Sequence, residues 1–284
     1  MAQTLRQIKN RIRSIENTEK VTSALEMISA TKLNRMDDLL FSLRPYFVKL
    51  DTLLSRLTSD PVKKSGEFFR ESPVNPKAAV CLFTSDSGLC GLYNHNIIRV
   101  VEEFISRYGK DKISLILVGK KGLSYFKHAG LPILEKYIDL NGRYAQNSAS
   151  QITQTLKEVF LSGKVDEVYV AYTHFASALT QRPLVVKILG LEVSQTNVIE
   201  YILEPDLDKI LAQLIPQYIS TKIKMLILEA FVSEHAARTV AMKTATDNAD
   251  ELLRQLTLLR NKVRQANITR EILEIISAAE ALKG

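Results

Sequence analysis

Apolar residues near the start of the chain recur in alternating steps of three and four: Leu5, Ile8, Ile12 and Ile15, then, in the same register, Leu33, Met36, Leu40, Leu43, Phe47, Leu50, Leu54 and Leu57. That spacing keeps one face of a helix against a partner helix, so it predicts a long helix with a heptad seam. Between the two runs the seam positions are polar (Glu19, Thr22, Glu26, Ser29) and the apolar residues move to Val21, Leu25 and Ile28. A stripe that slides sideways marks either a second contact surface or a local adjustment of supercoil, and the pattern alone leaves both open. Pro45 is expected to kink the helix or reset its bonding near the preceding turn, and the helix is expected to end around 59–61.

The other end of the chain answers it. No glycine interrupts 206–282, and the only proline there is Pro216. Pro205 suits the first helical position, and Asp206 suits the positive first turn. At 1.5 Å per residue an unbroken helix here would run about 115 Å. A compact globule of this chain length is only about 50 Å across. Such a helix must project, and a projecting helix needs a partner. Met242, Ala245, Ala249, Leu252, Leu256, Leu259 and Val263 follow the three-four alternation, and Ile268, Ile272, Ile275, Ala279 and Leu282 continue it after a small shift. The alanines permit close approach. An antiparallel two-helix coiled coil within one chain is the simplest pairing; homodimerisation through each arm separately is the alternative.

Glycine marks what lies between. Ten of the eleven glycines fall from Gly66 to Gly190 and the last is Gly284, so two helical arms flank a turn-rich middle. The expected segments are an N-terminal helix over 1–60, an α/β domain over 61–204 and a C-terminal helix over 205–284. Within the middle, 77–84, 113–118 and 167–172 read as strands, and 94–108, 122–128 and 148–161 as helices. Late strands are expected over 183–191 and 197–203, at an edge. Strands alternating with helices predict a Rossmann-like α/β domain with a mostly parallel sheet covered on both faces.

Composition narrows the chemistry. The chain has 284 residues, 46% hydrophobic, with net charge +7 and pI near 9.2. No run of eighteen apolar residues exists, so no membrane span is expected. The opening MAQTLRQIKN has no apolar core of a signal peptide, which leads us to expect an intracellular protein without a targeting segment. Cys81 and Cys90 make neither a disulfide framework nor a zinc motif. His95, His128, His174 and His235 are scattered, with no metal spacing. The turns Gly88-Leu-Cys-Gly91 and Gly119-Lys-Lys-Gly122 sit where phosphate loops sit, yet neither matches a phosphate-binding pattern. Asp86 with Cys90 lacks a base or an oxyanion device. The sequence thus offers no catalytic residue, no metal ligand and no cofactor. Two rival readings stay open here: a nucleotide-using α/β enzyme, and a basic coiled-coil protein binding nucleic acid. The second draws on seven Lys/Arg against three acidic residues in the first thirty-five, but stacking aromatics and a dense basic block are missing.

Three segments carry a family resemblance: IKNRIRSIENTEKVTSALEMISATKL (8–33), SDSGLCGLYN (85–94), and EHAARTVAMKTATDNA (234–249) continued by NKVRQANITREI (261–272). In order and over essentially the whole chain, they resemble the gamma subunit of F-type ATP synthases. The resemblance implies that the terminal helices form a coiled-coil shaft inside a ring of three alpha and three beta subunits. It implies an α/β domain set against the epsilon subunit and the membrane rotor ring of c subunits, with one copy per complex. Ion flow would turn the shaft, and the catalytic sites would belong to the beta subunits. No nucleic acid is implied, and membrane contact comes only through the rotor ring. The regulatory insertion of the chloroplast type is missing, so a bacterial complex on the cytoplasmic face of the inner or plasma membrane is implied.

The resemblance also implies roles for particular residues. Arg264 and Gln265 match the pair near the shaft tip that hydrogen-bonds loops of a beta subunit, a task for which a planar guanidinium fork is suited. Arg238, Thr269 and Glu271 match coupling positions, and Lys32 matches a shaft lysine. Leu25 stands where many members have methionine, facing a beta-subunit loop, and Leu273 where threonine is frequent. Tyr201 and Glu204 match the foot region that touches the rotor ring.

Overall fold

The computed structural model describes residues 4–57, 73, 75–178, 180–190 and 206–281. Its elements run α1 (Leu5–Leu57), β1 (Ala78–Phe83), α2 (Tyr93–Tyr108), a single 3-10 turn (Lys110–Lys112), β2 (Ile113–Val118), α3 (Lys120–Phe126), β3 (Ile133–Tyr137), α4 (Gln146–Leu161), β4 (Glu167–Phe175), β5 (Gln181–Leu189) and α5 (Leu207–Ala281). The chain divides into two compact units, one of Met1–Ile28 with Thr239–Gly284 and one of Ser29–Arg238.

The larger unit is built on a five-stranded sheet of order β3-β2-β1-β4-β5. The first four strands are parallel, and β5 closes the edge antiparallel to β4. Alternation along β1 sorts its side chains between two layers. Val80 and Leu82, with Leu115 and Leu117 of β2, meet Ile97 and Val101 of α2 and Phe126. Ala79, Cys81 and Phe83 face the opposite way, towards Ile152, Leu156 and Phe160 of α4 and residues of both long helices such as Leu40, Leu50, Ile219, Ile223 and Phe231. A strand covered on both faces reads as a continuous apolar run, which is why β1 and β2 were visible in the pattern. Residues 29–57 and 206–238 therefore serve as one face of the α/β unit. They run antiparallel there: Phe47 stacks on Tyr218 at 5.7 Å, Tyr218 donates to Asp51 at 2.8 Å, and Arg44 reaches Glu229 at 3.7 Å.

Several boundaries differ from expectation. β3 was not expected; its five residues follow Pro132, and its central Glu135 and Lys136 point to solvent, so it lacks a buried strand's pattern. β4 runs on to Phe175 because its end pairs with β5. The strand expected over 183–191 is β5, whereas the one expected over 197–203 lies outside the described residues, as does Pro205. Pro45 and Pro216 both fall inside helices that continue past them. α1 is described as far as Leu57.

The smaller unit is a two-helix antiparallel pair. Ile8, Ile12 and Leu256 are buried, with Ile15, Leu253 and Val263 packed around them. Further along, Thr246 Oγ1 donates to Thr22 Oγ1 at 2.9 Å. As α1 numbers fall from Thr22 to Ile8, α5 numbers rise from Thr246 to Val263, which fixes the direction. The polar seam positions of α1 stay on the seam: Thr22 is buried and Glu19 and Glu26 are half-buried, while Val21 and Ile28 are 58% and 54% exposed. The apolar residues that slide sideways lie off the covered seam, Val21 and Ile28 exposed and Leu25 half-buried.

On α5 the seam phase corrects the expected one. The covered positions are Met242, Ala245, Thr246, Ala249, Leu253, Leu256, Arg260 and Val263. The expected Met242, Ala245, Ala249, Leu256 and Val263 therefore hold, while the expected Leu252 and Leu259 are exposed and Leu253 and Arg260 take their place. Ala245 and Thr246 are both half-buried, side by side on the seam. The Thr246 hydroxyl lies 2.9 Å from Thr22 Oγ1 and 3.0 Å from Met242 O and shares its one proton between them, so it is accommodated half-buried. The expected continuation through Ile268, Ile272 and Ile275 is also corrected. The helix goes on to Ala281, but these residues are exposed. Every described residue from Arg264 onward is exposed, because Leu256 and Val263 already pack with Ile8 and Ile12 near the start of α1.

The seam phase is open to measurement. Leu253→Ala is expected to cost about 1–3 kcal/mol and Leu252→Ala less than about 0.5 kcal/mol, compared by urea unfolding of the full chain. The reverse order would restore the phase expected from hydrophobicity.

Candidate functional site

The carboxyl ends of the parallel strands carry a cluster of polar groups, all within the larger unit. Its anchor is Asp86, in the loop after β1. Its carboxylate accepts from the backbone N–H groups of Lys120 (3.1 Å), Asp139 (3.1 Å) and Asn141 (2.7 Å), tying together the loops after β1, β2 and β3. Asp139 and Asn141 have positive φ, +65° and +51°, a conformation that Asp and Asn tolerate better than other non-glycine residues. Gly119 adds a constraint at the same edge: with φ +94°, a Cβ there would stand 2.1 Å from Thr84 O.

The loop after β1 is pinned from inside as well. Asn94 Oδ1 accepts from Ser85 N at 2.9 Å, and Asn94 Nδ2 donates to Ser85 Oγ at 2.8 Å and to Cys90 Sγ at 3.1 Å. Cys90 is buried. Asp86 and Cys90 therefore work on separate sides of the turn, as loop ties.

Across from this loop stands the end of the unit's α5 segment. Arg238 Nη2 donates to Glu234 Oε1 at 2.8 Å and to Ser87 Oγ at 3.0 Å, and its Nε donates to Gly88 O at 3.3 Å. Its Nη1 meets His235 Nδ1 at 3.2 Å, and His235 Nε2 meets Gly142 O at 2.8 Å. A carbonyl can only accept, so Nε2 carries the imidazole proton and Nδ1 accepts from Arg238. Spacings of three and four put His235, Glu234 and Arg238 on adjacent faces of one helix. Lys32, half-buried on α1, donates to Asn141 O at 3.4 Å.

Electrostatics follow from burial. Glu234 is 1% exposed, and burial raises its pKa while Arg238 pulls it back. Burial lowers the pKa of Lys32, helped by Arg143 and Arg238 and opposed by Glu234. His235 is fully buried, and burial, with smaller contributions from Arg238 and Lys32, brings it down to about 4, against the pull of its bond to Gly142. The imidazole is neutral at physiological pH. The arrangement clamps loops to a helix, and its donors and acceptors serve one another.

Of the residues expected at a functional site, Lys32 and Arg238 belong to this cluster, Arg238 being buried and bonded within its own chain. Leu25 is half-buried in the smaller unit, beside the exposed Val21 and Ile28. Arg264, Gln265, Thr269 and Glu271 are exposed on the last five turns of α5. Tyr201 and Glu204 lie outside the described residues. Sequence reasoning missed Glu234, His235, Gly142 and the tying role of Asp86. The i, i+4 spacing of Glu234 and Arg238 was a usable signal for the ion pair; nothing local pointed from His235 to Gly142.

Comparison with known proteins agrees with this architecture. A family model described as ATP synthase matches residues 4–282. The chain is 38% identical over 290 residues to the ATP synthase gamma chain of Anaeromyxobacter sp. (strain K), covering 99% of each. It is 37% identical over 279 residues to that of Desulfitobacterium hafniense (strain DSM 10664 / DCB-2), covering 98% of this chain and 99% of the other. Among solved structures, a chain of the Tetrahymena thermophila mitochondrial ATP synthase central stalk and c-ring superposes with TM-score 0.62 at 23% identity, over 79% of this chain and 99% of that one. A chain of the Euglena gracilis mitochondrial enzyme does so with TM-score 0.67 at 16% identity, over 98% and 94%. The fold is therefore that of an ATP synthase central stalk. The chain belongs to the ATP synthase gamma chain family. The rival readings as a nucleic-acid binder or a nucleotide-using enzyme give way to this one.

The buried imidazole makes acid stability testable. Its folded pKa, about 4, lies below the unfolded value near 6.5, so its contribution is fully present above about 6.5 and lost as the pH falls from there through about 4. The difference amounts to roughly 3 kcal/mol. Urea unfolding across that range should show wild type losing stability more steeply than His235→Gln, which does not titrate; parallel curves would mean that His235 ionises normally.

Proposed function

We propose that this chain is the central rotor shaft of a bacterial F-type ATP synthase, with 1–60 and 205–284 as shaft helices and 61–204 as the foot. It is non-catalytic, and it needs no metal or cofactor of its own. One copy turns inside the alpha3-beta3 hexamer, and its foot rests on the epsilon subunit and the rotor ring of c subunits, Tyr201 and Glu204 touching the ring. It is peripheral, held at the cytoplasmic face of the inner or plasma membrane through that ring. Among the described residues no helix is long and apolar enough to cross a membrane.

The observation that carries the reading is the distal stretch of α5. From Arg264 to Ala281 every described residue is exposed. Helical geometry puts Ile268, Ile272, Ile275 and Ile276 on one side, together with Arg264, Gln265, Thr269 and Glu271. Isoleucines in such a row cost free energy in water and call for a surrounding surface. A hollow ring of subunits supplies one, and the polar residues of the same face supply hydrogen bonds that differ from one beta subunit to the next. Val21, Leu25 and Ile28 offer a second such patch. Because the shaft is a single asymmetric body among three equivalent sites, it favours different states of each by differential contact, which is what allosteric coupling requires.

Arg264→Ala combined with Gln265→Ala is expected to lower rotation-coupled ATP turnover of the reconstituted complex about tenfold or more, corresponding to the loss of one or two charge-assisted hydrogen bonds, with assembly retained. Unchanged turnover would remove the pair from coupling. Truncation after Ala278 should be milder, because a helix end frays and contributes least.

A further inference from the structure

The strand order places the topological switch point between β1 and β4, since the chain leaves β1 through α2 towards β2 on one side while β4 lies on the other. In doubly wound sheets the crevice outside those strand ends takes the ligand, and backbone N–H groups of the first β–α turn point at an anion. Here α5 occupies that place. Ser233 Oγ donates to Thr173 O at the end of β4 (2.8 Å), and Ala230 O accepts from the hydroxyl of Tyr93 at the start of α2 (3.1 Å). Arg238 donates to Gly88 O and Ser87 Oγ. The polarity of a phosphate cradle is reversed: the turn offers oxygens to a cation.

His235 completes the filling of the crevice. It joins Arg238 on one side to the carbonyl of Gly142 in the β3–α4 loop on the other. Gly142 has φ +61°, and a Cβ there would stand 2.5 Å from His235 Nε2, so the contact leaves room for glycine alone. The neighbouring Asn141 N–H is held by Asp86, which precedes Ser87 in the β1–α2 loop. The two loops are thus tied to each other and, through His235 and Arg238, to α5. Arg238 is the last residue of the unit.

We infer that His235 is a positioning residue of the rotor: wedged in the switch-point crevice between Arg238 and Gly142, it locks α5 to the α/β unit so that rotation of that unit is passed to the helix without slip. The inference rests on the rotor reading for its function but not for its geometry. Gln at this position can donate to Gly142 O and accept from Arg238, whereas Leu can do neither. The charged groups around it are Arg238 and Glu234 on α5 and Lys32 on α1.

The test uses the complete complex reconstituted in vesicles. For His235→Leu, ions pumped per ATP hydrolysed should fall several-fold while ATP hydrolysis stays within about twofold of wild type, and His235→Gln should pump like wild type. A leucine variant that assembles and pumps normally overturns the inference. Should it fail to assemble, nitrogen-15 NMR of the wild-type full chain decides: an Nε2-protonated neutral His235 that persists at pH 5 supports the lock, and an imidazolium at that pH overturns it. Failure of the wild-type chain to join an alpha3-beta3 ring at all would sink the rotor reading, and the NMR result would still judge the lock.

Discussion

Burial of one side of α5 against α1 is the constraint on which the other features depend. A helix of 75 residues cannot hide its apolar positions against itself. In each unit it meets α1 running the opposite way, through Phe47 and Tyr218 in one and Ile8, Ile12 and Leu256 in the other. The seam is not uniformly apolar. Where Thr22 meets Thr246, the Thr22 hydroxyl donates to Glu19 O and accepts from Thr246, whose one proton is shared with Met242 O. A buried polar pair of this kind adds little net stability but penalises every other register, since a shifted helix would leave the hydroxyls unpaired.

The same logic governs the cluster around Arg238 with larger charges. Bringing Glu234, Arg238 and the edge of Lys32 out of water costs several kcal/mol before any attraction is counted. The expense is offset only because almost every donor has a defined acceptor: Glu234, Ser87, Gly88 and His235 for the guanidinium, Gly142 for the imidazole. Directional bonds hold it at one angle, which suits a part meant to be turned.

The distal face of α5 stands at the other extreme. Its isoleucines are left open within the chain, and its polar side chains are exposed beside them. Stability is concentrated where the chain must be rigid. The distal surface of α5 keeps its apolar and charged groups exposed.

Much of this was legible along the chain because it follows from local periodicity. Freedom from glycine and the three-four spacing determined both long helices; continuous apolar runs determined β1, β2 and β4 as buried parallel strands; and the motif segments pointed to the family. What the sequence left open was each choice settled by a partner distant along the chain. Leu252 and Leu253 are chemically the same residue, and it is Leu253 that packs with Ile8, Ile12 and Ile15 of the other helix. β3 has no apolar pattern because it lies at the edge of the sheet, where one neighbour suffices. His235 and Gly142 are 93 positions apart, and their contact exists only because the sheet brings the β3–α4 loop up to α5. Periodicity carries the face a helix must bury, but which atoms lie across from that face is a property of the assembled layers.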